Sequence, residues 1–148
     1  MNFKLYIISN ILILFFLSCD FNQSDMKSKN ILGTELSICC TNPLTGFYRN
    51  GYCETGVDDY GTHTVCAIVT DDFLKFSLTR GNDLISERNE YNFPGLKHGD
   101  KWCLCAIRWK EAYDNGVAPK ILAESTNEKT LEIIDKKILL KMSVDLKK

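Results

Sequence analysis

Apolar and polar positions divide the chain into three stretches of different rhythm. Residues 5–17 are almost wholly apolar, broken only by Ser9 and Asn10. Residues 20–29 are polar and show no period, so they read as a tether. From Ile31 onward, apolar positions recur with the periods of strands and helices, which places the globular domain at 31–148.

Within that domain, residues 41–61 are dense in turn formers. Asn50-Gly51, flanked by Phe47-Tyr48-Arg49 and Tyr52-Cys53-Glu54, predicts a small hairpin, because both turn residues tolerate positive φ. Residues 64–69 (Thr-Val-Cys-Ala-Ile-Val) are apolar on both faces and predict a buried central strand. Thr70 caps a helix that Gly81 ends, and residues 82–99 are mostly loop. Asp100 is expected to cap a second helix, because Trp102, Cys105, Ala106, Trp109, Ala112 and Tyr113 form one apolar stripe that stops at Asn115-Gly116. Residues 120–124 read as a strand, Ser125 and Glu128 as a capping box, 131–134 as a further strand, and Asp135 as the cap of a last helix to about Met142. The sum is an α+β domain with a short mixed sheet, about three main helices and a turn-rich N-terminal arm.

A length of 148 residues suits one domain and is short for two. Lys plus Arg number 18 against 19 acids, so no basic surplus argues for a nucleic-acid partner.

The apolar start is an address. Lys4 precedes the 5–17 run, a positive n-region before an h-region, and the run is too short for a hydrocarbon core that needs about 20 helical residues. It ends Phe16-Leu17-Ser18-Cys19, which resembles the lipobox of bacterial lipoproteins, with Phe16 where leucine is usual. The resemblance implies a signal peptide at 1–18, a lipidated Cys19, a tether over 19–30, and an exported domain held on the cell membrane or outer membrane.

A second resemblance covers nearly all of 31–134. Pro43-Leu44-Thr45-Gly46-Phe47-Tyr48-Arg49, His63-Thr64-Val65-Cys66-Ala67, Arg80-Gly81-Asn82-Asp83-Leu84 and Phe93-Pro94-Gly95-Leu96-Lys97 carry it. So do Trp102-Cys103-Leu104-Cys105-Ala106, Arg108-Trp109 and Gly116-Val117-Ala118-Pro119. In this order they resemble the bacterial domain-of-unknown-function 2237 family, which implies a small domain and no stated activity.

Seven cysteines are the chemical feature of the chain, and three uses stand open. His63-x-x-Cys66 and Cys103-x-Cys105, with Cys39 and Cys53, offer donors for zinc or another thiophilic metal, but the Cys-x-x-Cys spacing is absent and no site is assigned. A thiol enzyme is the second use: Cys103, in the first turn of the expected helix, acts as nucleophile with Cys66, Cys53 or His63. The third is structural. Six cysteines beyond Cys19 allow three disulfides, with Cys39 and Cys40 stapling the arm to two places in the core. Arg80, Asn82, Asp83 and Arg108 either line a binding pocket or form a capping network. Glu54, Asp58 and Asp59 read as a solvated acidic turn. Two function classes follow, a cysteine-stabilised binding or structural module and a thiol- or metal-dependent enzyme.

Overall fold

The computed structural model describes residues 27–146, so the signal-peptide and Cys19 assignments lie outside the described residues. Its centre is the strand expected from the β-branched run. Strand β1 (Val65–Ile68) is apolar on both faces and is covered on both. It pairs antiparallel with β2 (Lys101–Leu104) on one side and with β3 (Lys120–Ile121) on the other, giving the order β2-β1-β3. A parallel bridge joins Ile121 to Ser143.

Three helices pack around this sheet. Helix α1 (Asp71–Thr79) starts where Thr70 Oγ1 accepts from the Phe73 amide at 3.2 Å, and it ends before Gly81, whose φ of 78° suits a residue without Cβ. Helix α2 (Ala106–Asp114) buries Ala106, Trp109 and Ala112, and the Trp109 indole donates to the Pro119 carbonyl at 3.0 Å. Helix α3 (Lys136–Met142) is capped by Asp135 as expected, through the Lys137 amide at 2.7 Å. The α+β class read from the sequence is the class observed. No helix among the described residues is long and apolar enough to cross a membrane.

Four local expectations need correction. The segment after Asp100 is a strand before it is a helix. Trp102, Cys103 and Leu104 are buried in succession and face both sides of a sheet, and the Asp100 carboxylate accepts from the Lys97 amide in a turn instead of capping a helix. Residues 128–132 form a 3-10 helix capped by Asn127, whose side chain accepts from the Lys129 amide, so neither the Ser125 capping box nor the 131–134 strand is present. The residues around Asn50-Gly51 form turns without a ladder, because Cys53 is drawn to a distant partner.

That partner belongs to a second, smaller core. Cys66 on β1 and Cys103 on β2 stand opposite each other in the ladder. Each is bonded to the arm, Cys66 to Cys39 and Cys103 to Cys53, and all four are buried. Among the described residues two disulfides form instead of three, leaving Cys40 and Cys105 free. The arm also covers the open edge of β2, where buried Thr45 accepts from the Cys103 amide at 2.8 Å.

The bond from Cys53 to Cys103 spans 50 residues, and a closed loop of that size removes enough unfolded-state entropy to contribute about 4 kcal/mol. Replacing both cysteines with alanine is expected to lower unfolding free energy by about 2–4 kcal/mol in urea titrations. A loss under about 1 kcal/mol would mean that packing alone holds the arm.

Candidate functional site

Between the arm and β1, residues 55–63 fold around one carboxylate. The Asp59 side chain is fully shielded from water and accepts three hydrogen bonds. They come from the Thr55 hydroxyl at 3.0 Å, the His63 amide at 2.7 Å and His63 Nδ1 at 2.5 Å. Burial alone would push this carboxyl up. The amide and imidazole of His63, helped by Thr55, outweigh it and hold Asp59 below the usual carboxylate range.

With Nδ1 committed to Asp59, the other ring nitrogen turns to Cys105. The His63 Nε2 to Cys105 Sγ distance is 3.1 Å. Cys105 is the residue before α2, at the end of a helix whose first turn has no side-chain cap. The Ala106 amide donates to the Thr62 carbonyl at 3.0 Å, which ties the start of the helix to the loop that carries His63. The sulfur thus stands at the positive end of the helix dipole.

Glycine at 61 is what lets the pair meet. A Cβ there would stand 2.5 Å from His63 Cε1, closer than such atoms approach, and 3.0 Å from Cys105 Sγ, a tight contact. The ring of Phe47 stacks on His63 with centroids 5.9 Å apart. The imidazole is about one-third exposed, at 34%, and its pKa is raised to about 9. The hydrogen bond to Cys105 contributes most; burial opposes it, and the charges on Cys105 and Asp59 reinforce it. At neutral pH His63 therefore carries a proton and can donate from both nitrogens.

His63 also forms part of the wall of a cavity of about 270 Å³, with Phe47, Arg49, Arg88, Phe93 and Trp102 among the other residues around it. Cys103 and Asp83 reach the same wall.

A family model described as "Uncharacterized protein conserved in bacteria (DUF2237)" matches residues 29–143. The chain belongs to the DUF2237 family. Among curated proteins no relative matches it.

The candidate residues fall in different places in this DUF2237 domain. Cys103 and Cys66 are disulfide sulfurs, so in this state neither has a thiolate to attack with. Cys103 lies on a strand and not in the first turn of a helix, and the free thiol beside His63 is Cys105. His63 and Cys66 face different partners. Sulfurs of Cys39, Cys53 and Cys103 lie within 4.8 Å of one another, but as disulfide sulfurs they cannot serve as thiolate ligands to zinc. Arg80 and Arg108 both bind Glu111, at 2.7 and 3.3 Å, and clamp the end of α1 to α2. Asn82 closes the α1 end through Ser77, while Asp83 accepts from the Ile85 and Ser86 amides at the cavity.

Two members of the triad were missed from sequence. Asp59 was read as a solvated acid, and Cys105 as a helix-stripe residue or a metal donor. The available signal was Asp59-x-x-x-His63 in a loop with Gly61 between them.

The linkage has a definite sign. The folded imidazole keeps its proton up to about 9 while a free one releases it near 6.5, so the charged site stabilises the fold below 6.5 and that contribution fades as pH rises towards 9. The Asp59 contribution runs the other way and is lost in acid. In NMR titrations the His63 ring is expected to change charge near pH 9, and Cys105→Ser should move that midpoint down towards 6.5 because it removes the largest contributor. A midpoint unmoved by the substitution would show that the sulfur does not hold the proton.

Proposed function

We propose that this DUF2237 domain is an exported, lipid-anchored thiol enzyme that performs acyl transfer or hydrolysis. Cys105 is the nucleophile, His63 the general acid and base, and Asp59 the residue that orients the imidazole. The observation that carries this reading is the unbroken chain from Asp59 through His63 to Cys105, at 2.5 and 3.1 Å, beside a cavity.

The chemistry follows from the geometry. Cys105 Sγ, with its proton held on His63, attacks a carbonyl carbon and forms a C–S bond. The carbonyl oxygen takes the electron pair at the start of α2, where first-turn amides lack partners within the helix. As the tetrahedral centre collapses, the leaving group departs with the proton from His63 Nε2. Water then attacks the thioester, His63 takes its proton, and the acid and the thiol are released. Asp59 keeps the ring turned and balances its charge throughout, the role a buried carboxylate plays in other triads.

The domain is cysteine-stapled, and the two disulfides fit an oxidising compartment. That supports the export implied by the lipobox-like ending at Cys19, with the lipid as the contact to the membrane. The structural-module reading and the enzyme reading are therefore compatible: four cysteines hold the arm and a fifth is left for chemistry.

Cys40 supplies an internal reference for reactivity, since it is free and lies outside the triad. Iodoacetamide at pH 6–7, followed by peptide mapping, is expected to modify Cys105 at least about 10-fold faster than Cys40. An activated aryl ester should leave an acyl group on Cys105. His63→Ala should slow both reactions by about 10²-fold or more, and Cys105→Ala should abolish the adduct. Equal alkylation of the two thiols, with or without His63, would overturn the assignment.

For the anchor, Cys19→Ala is expected to move the protein from the membrane to the soluble fraction and to remove incorporated acyl label. Membrane retention with label intact would exclude lipidation at that residue.

A further inference from the structure

The wall of the cavity carries a charge arrangement that the proposed reaction does not use. Arg49 lays its guanidinium over the Trp102 ring, 4.8 Å from the centroid. Its one hydrogen bond is from Nη1 to the Leu44 carbonyl at 3.3 Å. Among the described residues no carboxylate pairs with it, although a guanidinium offers five donors in a planar fork. Its backbone is held at φ 52°, a left-handed conformation that an ordinary residue adopts at a cost, so its side chain is presented from a fixed turn.

The rest of the wall points the same way. Arg88 lies on the same cavity and is only loosely matched by Asp83, at 4.0 Å. His63 is a third cation at neutral pH, but Asp59 balances it from behind. Two guanidiniums thus face the single carboxylate of Asp83. The wall is also aromatic: Phe93 and Trp102 are in ring contact with centroids 5.2 Å apart, and Phe47 stacks on the imidazole. The Arg49 residue is solvent-exposed, so an incoming anion can reach it, and partial desolvation lowers its pKa.

We infer that the cavity binds an acyl group ending in a carboxylate, its head held in the fork of Arg49 with Arg88 nearby and its apolar body laid on Phe93 and Trp102. This rests on the thiol-enzyme reading for the reaction, though not for the binding. The cavity of about 270 Å³ lies near the small end of ligand pockets, which suits a short dicarboxylate half-ester or an aryl-substituted short acid and not a long acyl chain. A planar carboxylate matches the bidentate donors of arginine, which lysine would not provide.

Two measurements test this separately. The first compares acylation of Cys105 by the phenyl thioester of glutarate, which keeps a free carboxylate, with that by the phenyl thioester of pentanoate. The intact protein is expected to prefer the glutarate ester by about 10-fold, a preference that weakens with salt. Arg49→Met, which keeps an apolar stem over Trp102, should bring the two rates together, and Arg88→Met should reduce the preference in part. Measurable but equal rates in the unaltered protein, or a preference that survives Arg49→Met, would overturn the inference.

The second measurement needs no catalysis. Added 4-phenylbutyrate should shift the Trp102 indole resonance in the unaltered protein, more than 4-phenylbutyramide does, and Arg49→Met should abolish that difference. If neither thioester acylates Cys105 but the carboxylate still shifts Trp102, the enzyme reading fails and the binding site stands. If the acid and the amide shift Trp102 alike, or neither does, the binding site fails whatever the thiol does.

Discussion

The place of the N-terminal arm in this domain depends on two covalent bonds between the arm and the sheet. Cys66 and Cys103 are neighbours across the β1–β2 ladder, and each is bonded to an arm cysteine, Cys39 or Cys53. The arm has almost no regular structure of its own beyond isolated bridges, and it buries few apolar side chains, Ile31 and Leu36 among them. The disulfides supply that fixation through the unfolded state, each worth about 3–4 kcal/mol taken singly and less together because their loops overlap. Once fixed, the arm puts Thr45 on the edge of β2, Phe47 on His63 and Arg49 on Trp102.

The triad uses a different device. Its loop is organised by a buried carboxylate instead of an apolar core, and such a group is stable only when fully hydrogen-bonded. Asp59 meets that condition with three donors, two of them from His63. The same bonds that offset the desolvation of Asp59 set the direction of the ring. The position and the protonation of the ring are coupled here, since Asp59 both holds Nδ1 and raises the pKa of His63.

Legibility from sequence tracked how local the cause was. Strand β1 was readable because six consecutive apolar or β-branched residues suit a covered strand, and α1 and α3 because Thr70 and Asp135 cap them within one turn. Strand β2 was not. Trp102, Cys105, Ala106 and Trp109 fit a helical stripe as well as a strand followed by a helix, and what decides is pairing with β1 nearly forty residues away. The site divides along the same line. His63 stood out as one of two histidines, whereas Asp59 and Cys105 acquire their roles from the Gly61 turn and from the strand that ends one residue before Cys105. Moving the helix start from Asp100 to Ala106 moves the residue at the helix N-terminus from Cys103 to Cys105.

That shift also explains how a free thiol and two disulfides can share one small domain. Cys103 alternates with its neighbours on a strand, faces the four-cysteine cluster, and is consumed there. Cys105, two positions on, has left the strand, so the alternation that would have aimed it at the same cluster no longer applies. Its sulfur meets an imidazole that is itself held from behind. The change from strand to helix at this point therefore sorts the cysteines: those within the ladder become staples, and the one at the helix start stays available to react.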